Sequence, residues 1–134
     1  MLDQPAVLPL RQHDPLPPLG MRTPERAQWR LLLSVDAADL AQTRDALDAL
    51  RVAQPSLGVV LLPRGDGAEA ITDVAEAEIL VDPEGRLADR LGALADSQGR
   101  RAALWVLVEP RGTVQASAAG LTAWEAATAP LRKA

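Results

Sequence analysis

The side chains best able to do chemistry in this chain are carboxylates and arginines, because it has no cysteine, no tyrosine and one histidine. Asp36 and Asp39 have a spacing that could chelate a hard cation or cap the start of a helix. Asp82 and Glu84 flank a proline, where paired carboxylates could act as acid and base. For both pairs the pattern favours a structural role: a helix cap for the first and an ordinary Asp-Pro-Glu-Gly turn for the second.

A histidine and an arginine pair are the other polar candidates. His13 precedes Asp14, and one histidine beside one aspartate falls short of the three or four ligands of a metal site. Arg100 and Arg101 could bind an anion or a partner's carboxylate, although exposure to solvent is the commoner role of such a pair. The sequence therefore predicts neither a metal site nor a cofactor.

Composition narrows the function classes further. The length of 134 residues predicts one domain with a sizeable core. A net charge of −4 and only 2% aromatic residues argue against a nucleic acid or an anionic membrane as partner. No apolar run approaches the ~20 residues of a membrane helix, and the first ten residues lack the pattern of a signal peptide. We therefore expect no membrane insertion and a cytoplasmic location.

Short apolar runs predict the strands that would position these side chains. Continuous runs indicate buried strands, an alternating run indicates a half-exposed edge strand, and a brief run precedes the Asp-Pro-Glu-Gly turn. The buried strands are expected at 30–35, at 58–62 with Pro63 ending it, and at 103–108, the edge strand at 113–117 and the brief strand at 79–81.

Helical spacing of leucines and capping signals predict the helices. One is expected from Asp36 or Asp39 to Leu50 or slightly beyond, with Thr43 on its apolar face. A short one is expected over 69–76, and another on a face marked by Leu87, Leu91 and Leu94. The last follows a capping box of Thr122 and Glu125, and Pro130 is expected to kink or shorten it.

Residues 1–24 contain six of the eleven prolines and are predicted to form an extended arm ahead of a domain at 25–134. The arm could lie across its own domain or dock on a partner. The apolar residues considered as partner contacts are Leu8, Leu10, Leu16 and Leu19 in the arm and Trp29 just after it.

The predicted order of elements indicates an α/β fold. A β-α-β unit followed by a β-β-α unit gives a central mixed β-sheet with helices on both faces, a three-layer arrangement.

Three segments resemble the peroxiredoxin and redoxin branch of the thioredoxin superfamily. They are 30–50 (RLLLSVDAADLAQTRDALDAL), 79–92 (ILVDPEGRLADRLG) and 100–108 (RRAALWVLV). The resemblance covers about residues 28–133 and implies a thioredoxin-like fold. In that family a cysteine, alone or as Cys-x-x-Cys, opens the helix of the first segment; here 40–43 (LAQT) stands there, or 36–39 (DAAD) in the register one turn earlier. The vestigial active-site region is then Asp36, Asp39, Leu40, Thr43, Arg100 and Arg101.

Without a thiolate, thiol peroxidase and disulfide reductase activities are excluded for this chain. We therefore expect a redox-inactive thioredoxin-like protein rather than an enzyme: a protein-binding module used as an accessory subunit, scaffold or assembly chaperone. Its partner would be another protein or a second copy of the chain. The alternative is a small-ligand-binding protein or a non-thiol enzyme that uses the former cleft, with Thr43 and Arg100 or Arg101 as its polar groups.

Overall fold

A mixed β-sheet organises the molecule. The computed structural model describes residues 15–16, 19–21, 28–71, 77–91, 103–121 and 124–133. Within them the strands are β1 (Arg30–Asp36), β2 (Gly58–Arg64), β3 (Ala77–Ile79), β4 (Leu104–Val108) and β5 (Val114–Ala119). The helices are α1 (Leu40–Ala53), α2 (Arg86–Arg90) and α3 (Trp124–Lys133), with 3₁₀ turns at Ala37–Asp39 and Ala68–Ala70.

The strand order is β3-β2-β1-β4-β5, which places β1 at the centre. β1 and β2 are parallel, as are β2 and β3, whereas β4 is antiparallel to both β1 and β5. The predicted mixed sheet is confirmed. The carboxyl ends of the three parallel strands meet at one edge, the edge at which open α/β sheets place their ligand sites.

Alternation along the strands divides the core into two layers. Leu31 and Leu33 of β1 pack on one face with α1 and α3, while Leu32 packs on the other face with α2. Helices therefore cover both faces, as predicted. Trp105 is fully buried in the first layer, and its indole Nε1 donates a hydrogen bond to the Gly120 carbonyl at 2.8 Å.

Pro63 lies inside β2 and does not end it, contrary to the sequence prediction. Its carbonyl accepts a hydrogen bond from the Asp82 amide at 2.9 Å, on the side of β3. Since the N and C=O of one residue in a parallel strand face the same neighbour, the missing N–H also points to that side. The N–H that the proline lacks would thus face residues 80–82 and not β1, so the proline removes no bond of the β1–β2 ladder.

Two helix predictions also change. α3 continues past Pro130 to Lys133, so the proline does not shorten it. The carbonyl of Ala126, four residues earlier, loses its helical donor, and Ala126 is exposed, so water can replace that donor. For the helix expected over 69–76 the structure has only the 3₁₀ turn Ala68–Ala70, and 72–76 lie outside the described residues.

The described end of the arm lies on its own domain. Pro15 forms a β-bridge with Thr113, and the Leu16 amide donates to the Gly112 carbonyl at 3.0 Å. Leu19 is buried in the α2 layer, with Leu16 packed against it. This corrects the prediction that Leu16 and Leu19 are partner contacts, because both fill the chain's own apolar surface; residues 1–14 lie outside the described part.

Candidate functional site

The start of α1 is where the resemblance places a catalytic thiol. Leu40 opens the helix and is 4% exposed, and Thr43, one turn on, is fully buried. The Thr43 hydroxyl donates a 2.7 Å hydrogen bond to the Leu40 carbonyl of its own helix. The position is thus occupied by an apolar side chain and by a hydroxyl already bonded inside the helix.

The two aspartates beside this position stand at cap positions without capping. Asp36 precedes the 3₁₀ turn and Asp39 precedes α1, yet neither side chain makes a capping hydrogen bond. Asp39 instead faces Gln42, whose amide lies 3.4 Å from its Oδ1. The prediction that they cap the helix is wrong, since neither carboxylate accepts a capping hydrogen bond at its helix start.

Arg64 is a charged residue of this edge that the sequence reasoning missed. It is 3% exposed, and its Nε lies 3.6 Å from Oδ1 of Asp36, whose side chain is 45% exposed. The two residues are register partners at the ends of β1 and β2, and Asp82 forms a bridge with Arg64 on the other side. The signal available was an arginine directly after an apolar strand. The sequence pattern predicts a turn at this arginine.

Asp82 caps α2. It is buried, and its Oδ1 and Oδ2 accept hydrogen bonds from the amides of Leu87 at 3.1 Å and Ala88 at 3.0 Å. Glu84 is exposed and bonds to Arg86 at 3.2 Å. The two carboxylates have separate partners and act locally, which agrees with the structural interpretation of the turn.

The sheet separates the polar groups of this region. By alternation, Ser34, Asp36 and Arg64 point to the face covered by α2, whereas α1 with Thr43 lies on the opposite face. The Ser34 hydroxyl is fully buried and has no hydrogen-bond partner within the described residues, which sequence reasoning also missed. The structure therefore does not gather these groups around Thr43.

The other candidate residues have simple placements. Trp29 is half-buried and packs against the chain's own core layer under α1 and α3. The remaining ones lie outside the described residues: Leu8, Leu10, His13, Asp14, Arg100, Arg101 and Thr122.

A cleft of about 450 Å³ lies between the last turns of α1 and the length of α3 from Trp124 to Leu131. We call it the α1–α3 groove. It is lined by Ala49, Leu50, Ala53 and Gln54 from the α1 side and by Trp124, Glu125, Thr128 and Leu131 from α3. The groove could not be foreseen from the sequence, because it needs both helices together.

The described residues contain neither a metal-binding cluster nor a membrane-spanning helix. They contain no cluster of three or more histidine, cysteine, aspartate or glutamate side chains able to hold a metal ion. None of the helices seen in them has the length and apolar character needed to cross a bilayer.

Comparison with known proteins shows which fold the chain has and shows no closer relationship. No protein-family model and no curated protein matches the sequence. Among solved structures, the bacterioferritin comigratory protein of Xanthomonas campestris, described with alkyl peroxide reduction activity, superposes with a TM-score of 0.56 at 20% identity, covering 99% of this chain and 96% of that one.

Two further structures agree. Peroxiredoxin Q of Xanthomonas campestris gives a TM-score of 0.55 at 16% identity, covering 80% of this chain and 77% of that one. An exposed lipoprotein thioredoxin of Streptococcus pneumoniae gives a TM-score of 0.54 at 15% identity, covering 81% of this chain and 86% of that one. The chain has the thioredoxin-like fold of peroxiredoxins without their cysteine, which confirms the fold prediction.

Proposed function

We propose that this chain is a redox-inactive thioredoxin-like domain that acts in the cytoplasm as a protein-binding module, as an accessory subunit, scaffold or assembly chaperone does. One observation carries the proposal: two buried side chains, Leu40 and Thr43, stand where a redoxin carries its thiol. A domain that keeps this fold and fills the reactive position keeps surfaces for recognition while it lacks the group for chemistry.

The redox half of the proposal predicts no thiol-dependent turnover. The thiolate is the nucleophile in peroxide reduction and in disulfide exchange, and the chain contains no cysteine. Purified protein should consume hydroperoxide no faster than a heat-killed control, with either thioredoxin or glutathione as electron donor. Turnover above that control contradicts the proposal.

Ligand binding or non-thiol catalysis in the former cleft is less well supported, because three polar groups nearby, those of Thr43, Asp82 and Asp36, already have partners. The Thr43 hydroxyl bonds within α1, and the Asp82 carboxylate holds two amides of α2. Asp36 lies beside Arg64 at 3.6 Å. Binding sites for small molecules need several polar groups that converge on one cavity, and these diverge over both faces of the sheet.

The partner we propose is another protein, and Leu8 and Leu10 in the arm are proposed contacts. A segment so rich in proline loses little chain entropy on docking, and leucines suit shallow apolar grooves. Its following residues, Pro15 and Leu16, are held on Thr113 and Gly112 in the turn before β5, so the arm has a fixed base on the domain.

The test begins with affinity capture of proteins from the native host that bind this chain. The complex is then reconstituted from the purified chain and the purified captured protein. Leu8→Asp with Leu10→Asp should weaken that complex at least ~10-fold, about 1.4 kcal/mol. Gln4→Asp with Gln12→Asp adds the same charge to the same arm and serves as the matched control, with affinity unchanged. If no captured protein forms a stoichiometric complex with the chain, the binding role is contradicted. If the leucine variant binds with unchanged affinity, only the proposed role of the arm is contradicted.

A further inference from the structure

β5 is the last strand of the sheet order, so β4 is its only neighbouring strand among the described residues. The Gly120 amide donates a hydrogen bond to the Ala103 carbonyl on the β4 side at 2.7 Å. Because the amides of neighbouring residues in an antiparallel strand point to opposite sides, those of Ser117 and Ala119 point away from β4. An edge of this kind is a template for pairing with another extended segment.

A β-bulge near the start of β5 sets the orientation of the residues before it. The register with β4 shifts between Val114 and Ala116, so β5 has one extra residue there. Before the bulge, the Thr113 carbonyl accepts a hydrogen bond from the Glu109 amide at 2.9 Å, so the amide of Val114, the next residue, points away from β4. The residues of β5 whose backbone faces the outer edge are therefore Val114, Ser117 and Ala119.

The described end of the proline-rich arm makes contact at the beginning of this edge. Pro15 forms an antiparallel bridge with Thr113, and the Leu16 amide donates to the Gly112 carbonyl at 3.0 Å. Antiparallel pairing continues by stepping backward along one segment and forward along the other. The bridge therefore directs the residues that precede Pro15 along the outer edge of β5.

The prolines of the arm fall in a pattern that suits pairing on one side only. Pro5, Pro9 and Pro15 have odd numbers, whereas every even-numbered residue from 4 to 16 has an amide N–H. Alternate residues of a strand point their amides to the same side, and the amide of Leu16, which is even-numbered, faces the turn before β5. In such a strand the prolines face solvent, as they do in edge strands, and prevent a further strand from adding.

We propose that residues 10–14 form a sixth strand, antiparallel to β5, that covers the outer edge of the sheet. Each even-numbered residue pairs with one outward-facing residue of β5: Asp14 with Val114, Gln12 with Ser117 and Leu10 with Ala119. The bulge accounts for the step of three residues in β5 against two in the arm. Leu10 then stands beside Ala119, which is exposed, so its side chain stays accessible to a partner. The inference goes beyond the proposed function, because it concerns the chain alone and holds with or without a partner.

NMR spectra of the full chain, labelled with ¹⁵N and ¹³C, test this register. Opposite residues that do not bond to each other bring their Hα atoms close together, so a nuclear Overhauser effect is expected between the Hα atoms of Arg11 and Ala118. The amides of Leu10 and Gln12 should exchange with solvent at least ~10-fold more slowly than those of Arg11 and His13, after correction for the intrinsic rate of each amide.

Two proline variants at adjacent positions provide a matched pair. Gln12→Pro removes an amide that faces β5, so the exchange rate of the Ala119 amide should rise at least ~10-fold. His13→Pro removes an amide that faces solvent and should change that rate by less than about twofold. Circular dichroism establishes that each variant keeps its helix content, and the exchange pattern of the unaltered chain decides the matter if one of them does not fold.

Equal exchange rates for the even-numbered and odd-numbered arm amides overturn the proposal, as does the absence of the effect between Arg11 and Ala118. Equal consequences of Gln12→Pro and His13→Pro also overturn it. In a mixture of labelled and unlabelled chains, an Arg11–Ala118 effect seen only between different chains overturns it in favour of the arm of a second copy. None of these results decides the proposed function, which is tested separately by the reconstituted complex.

Discussion

Two helices begin at the same edge of the sheet, and aspartates precede both, yet the two helix starts are built differently. At α2 the buried Asp82 carboxylate accepts two amide hydrogen bonds, one on each oxygen. At α1 neither Asp36 nor Asp39 bonds to an amide of the first turn. The start of α2 is therefore fixed by a charged side chain, whereas the start of α1 is held by packing of Leu40.

The comparison bears on the proposal that the start of α1 has lost a reactive group. In the redoxin family the amino end of the first helix must leave room and polarity for a thiolate. Here that end is packed and the Thr43 hydroxyl bonds within the helix, while the start of α2 is held by two amide hydrogen bonds to Asp82. The two helix starts can thus be distinguished by what their polar atoms bond to.

The largest expected effect comes from putting a thiol back at α1. Thr43→Cys should give a folded protein whose thiol reacts with a disulfide reagent at least ~100-fold more slowly than the thiol of Gln42→Cys, because residue 43 is buried and residue 42 is exposed. The measurement is the rate of modification in native buffer, with urea-unfolded protein as the common reference. Equal rates for the two variants would show that the start of α1 is open to solvent and is not a packed site.

The second effect is on the start of α2. Asp82→Ala should lower the free energy of unfolding by about 2–3 kcal/mol, because it leaves two amides of α2 without an acceptor and removes a charge-assisted pair of bonds. Asp82→Asn keeps one acceptor and should cost about half as much. Urea denaturation measures both. A loss below about 0.5 kcal/mol for Asp82→Ala would mean that the cap does not hold this helix.

The third helix offers an independent comparison. The capping box predicted for Thr122 and Glu125 lies partly outside the described residues, but α3 begins at Trp124, two residues after Thr122. Thr122→Ala should cost about 1 kcal/mol, and Thr122→Ser should recover most of it. An unfolding midpoint unchanged in Thr122→Ala would show that α3, like α1, starts without a side-chain cap.

The smallest effect is expected at Asp39. Its carboxylate makes one long contact, to Gln42 at 3.4 Å, and caps nothing, so Asp39→Ala should change the free energy of unfolding by less than about 0.5 kcal/mol. The same denaturation series that contains Asp82→Ala provides the comparison. A cost near 1 kcal/mol would show that Asp39 caps α1 in solution and that the two helix starts are alike.

The fold could be predicted from the sequence because the patterns that indicate it lie within single segments and recur along the chain. Continuous apolar runs such as 103–108 and the leucine spacing of α1 depend on burial alone, and burial follows the strand and helix periods. The site was predicted less well. Whether Asp36 or Asp82 caps a helix depends on the conformation of the turn that follows it, a 3₁₀ turn of Ala-Ala-Asp in the first case and Pro-Glu-Gly in the second.

The remaining misses involve contacts between distant segments. Pro63 is tolerated in β2 because its missing N–H faces residues 80–82 and leaves the ladder to β1 complete, a fact of sheet register that one strand's sequence does not contain. The burial of Arg64 depends on Asp36 and on the 82–91 segment. The α1–α3 groove requires two helices that are far apart in the chain.

The central position of β1 has a consequence for synthesis of the chain. β1 pairs with β2 on one side, but its other neighbour is β4, so Arg30 meets Val108 only late in translation. Until then, one edge of β1 and both apolar faces of the half-built sheet remain open on the nascent chain. Exposed strand edges and non-local pairing favour slow folding and aggregation. The ribosome must therefore deliver nearly the whole domain before its central strand has two neighbours.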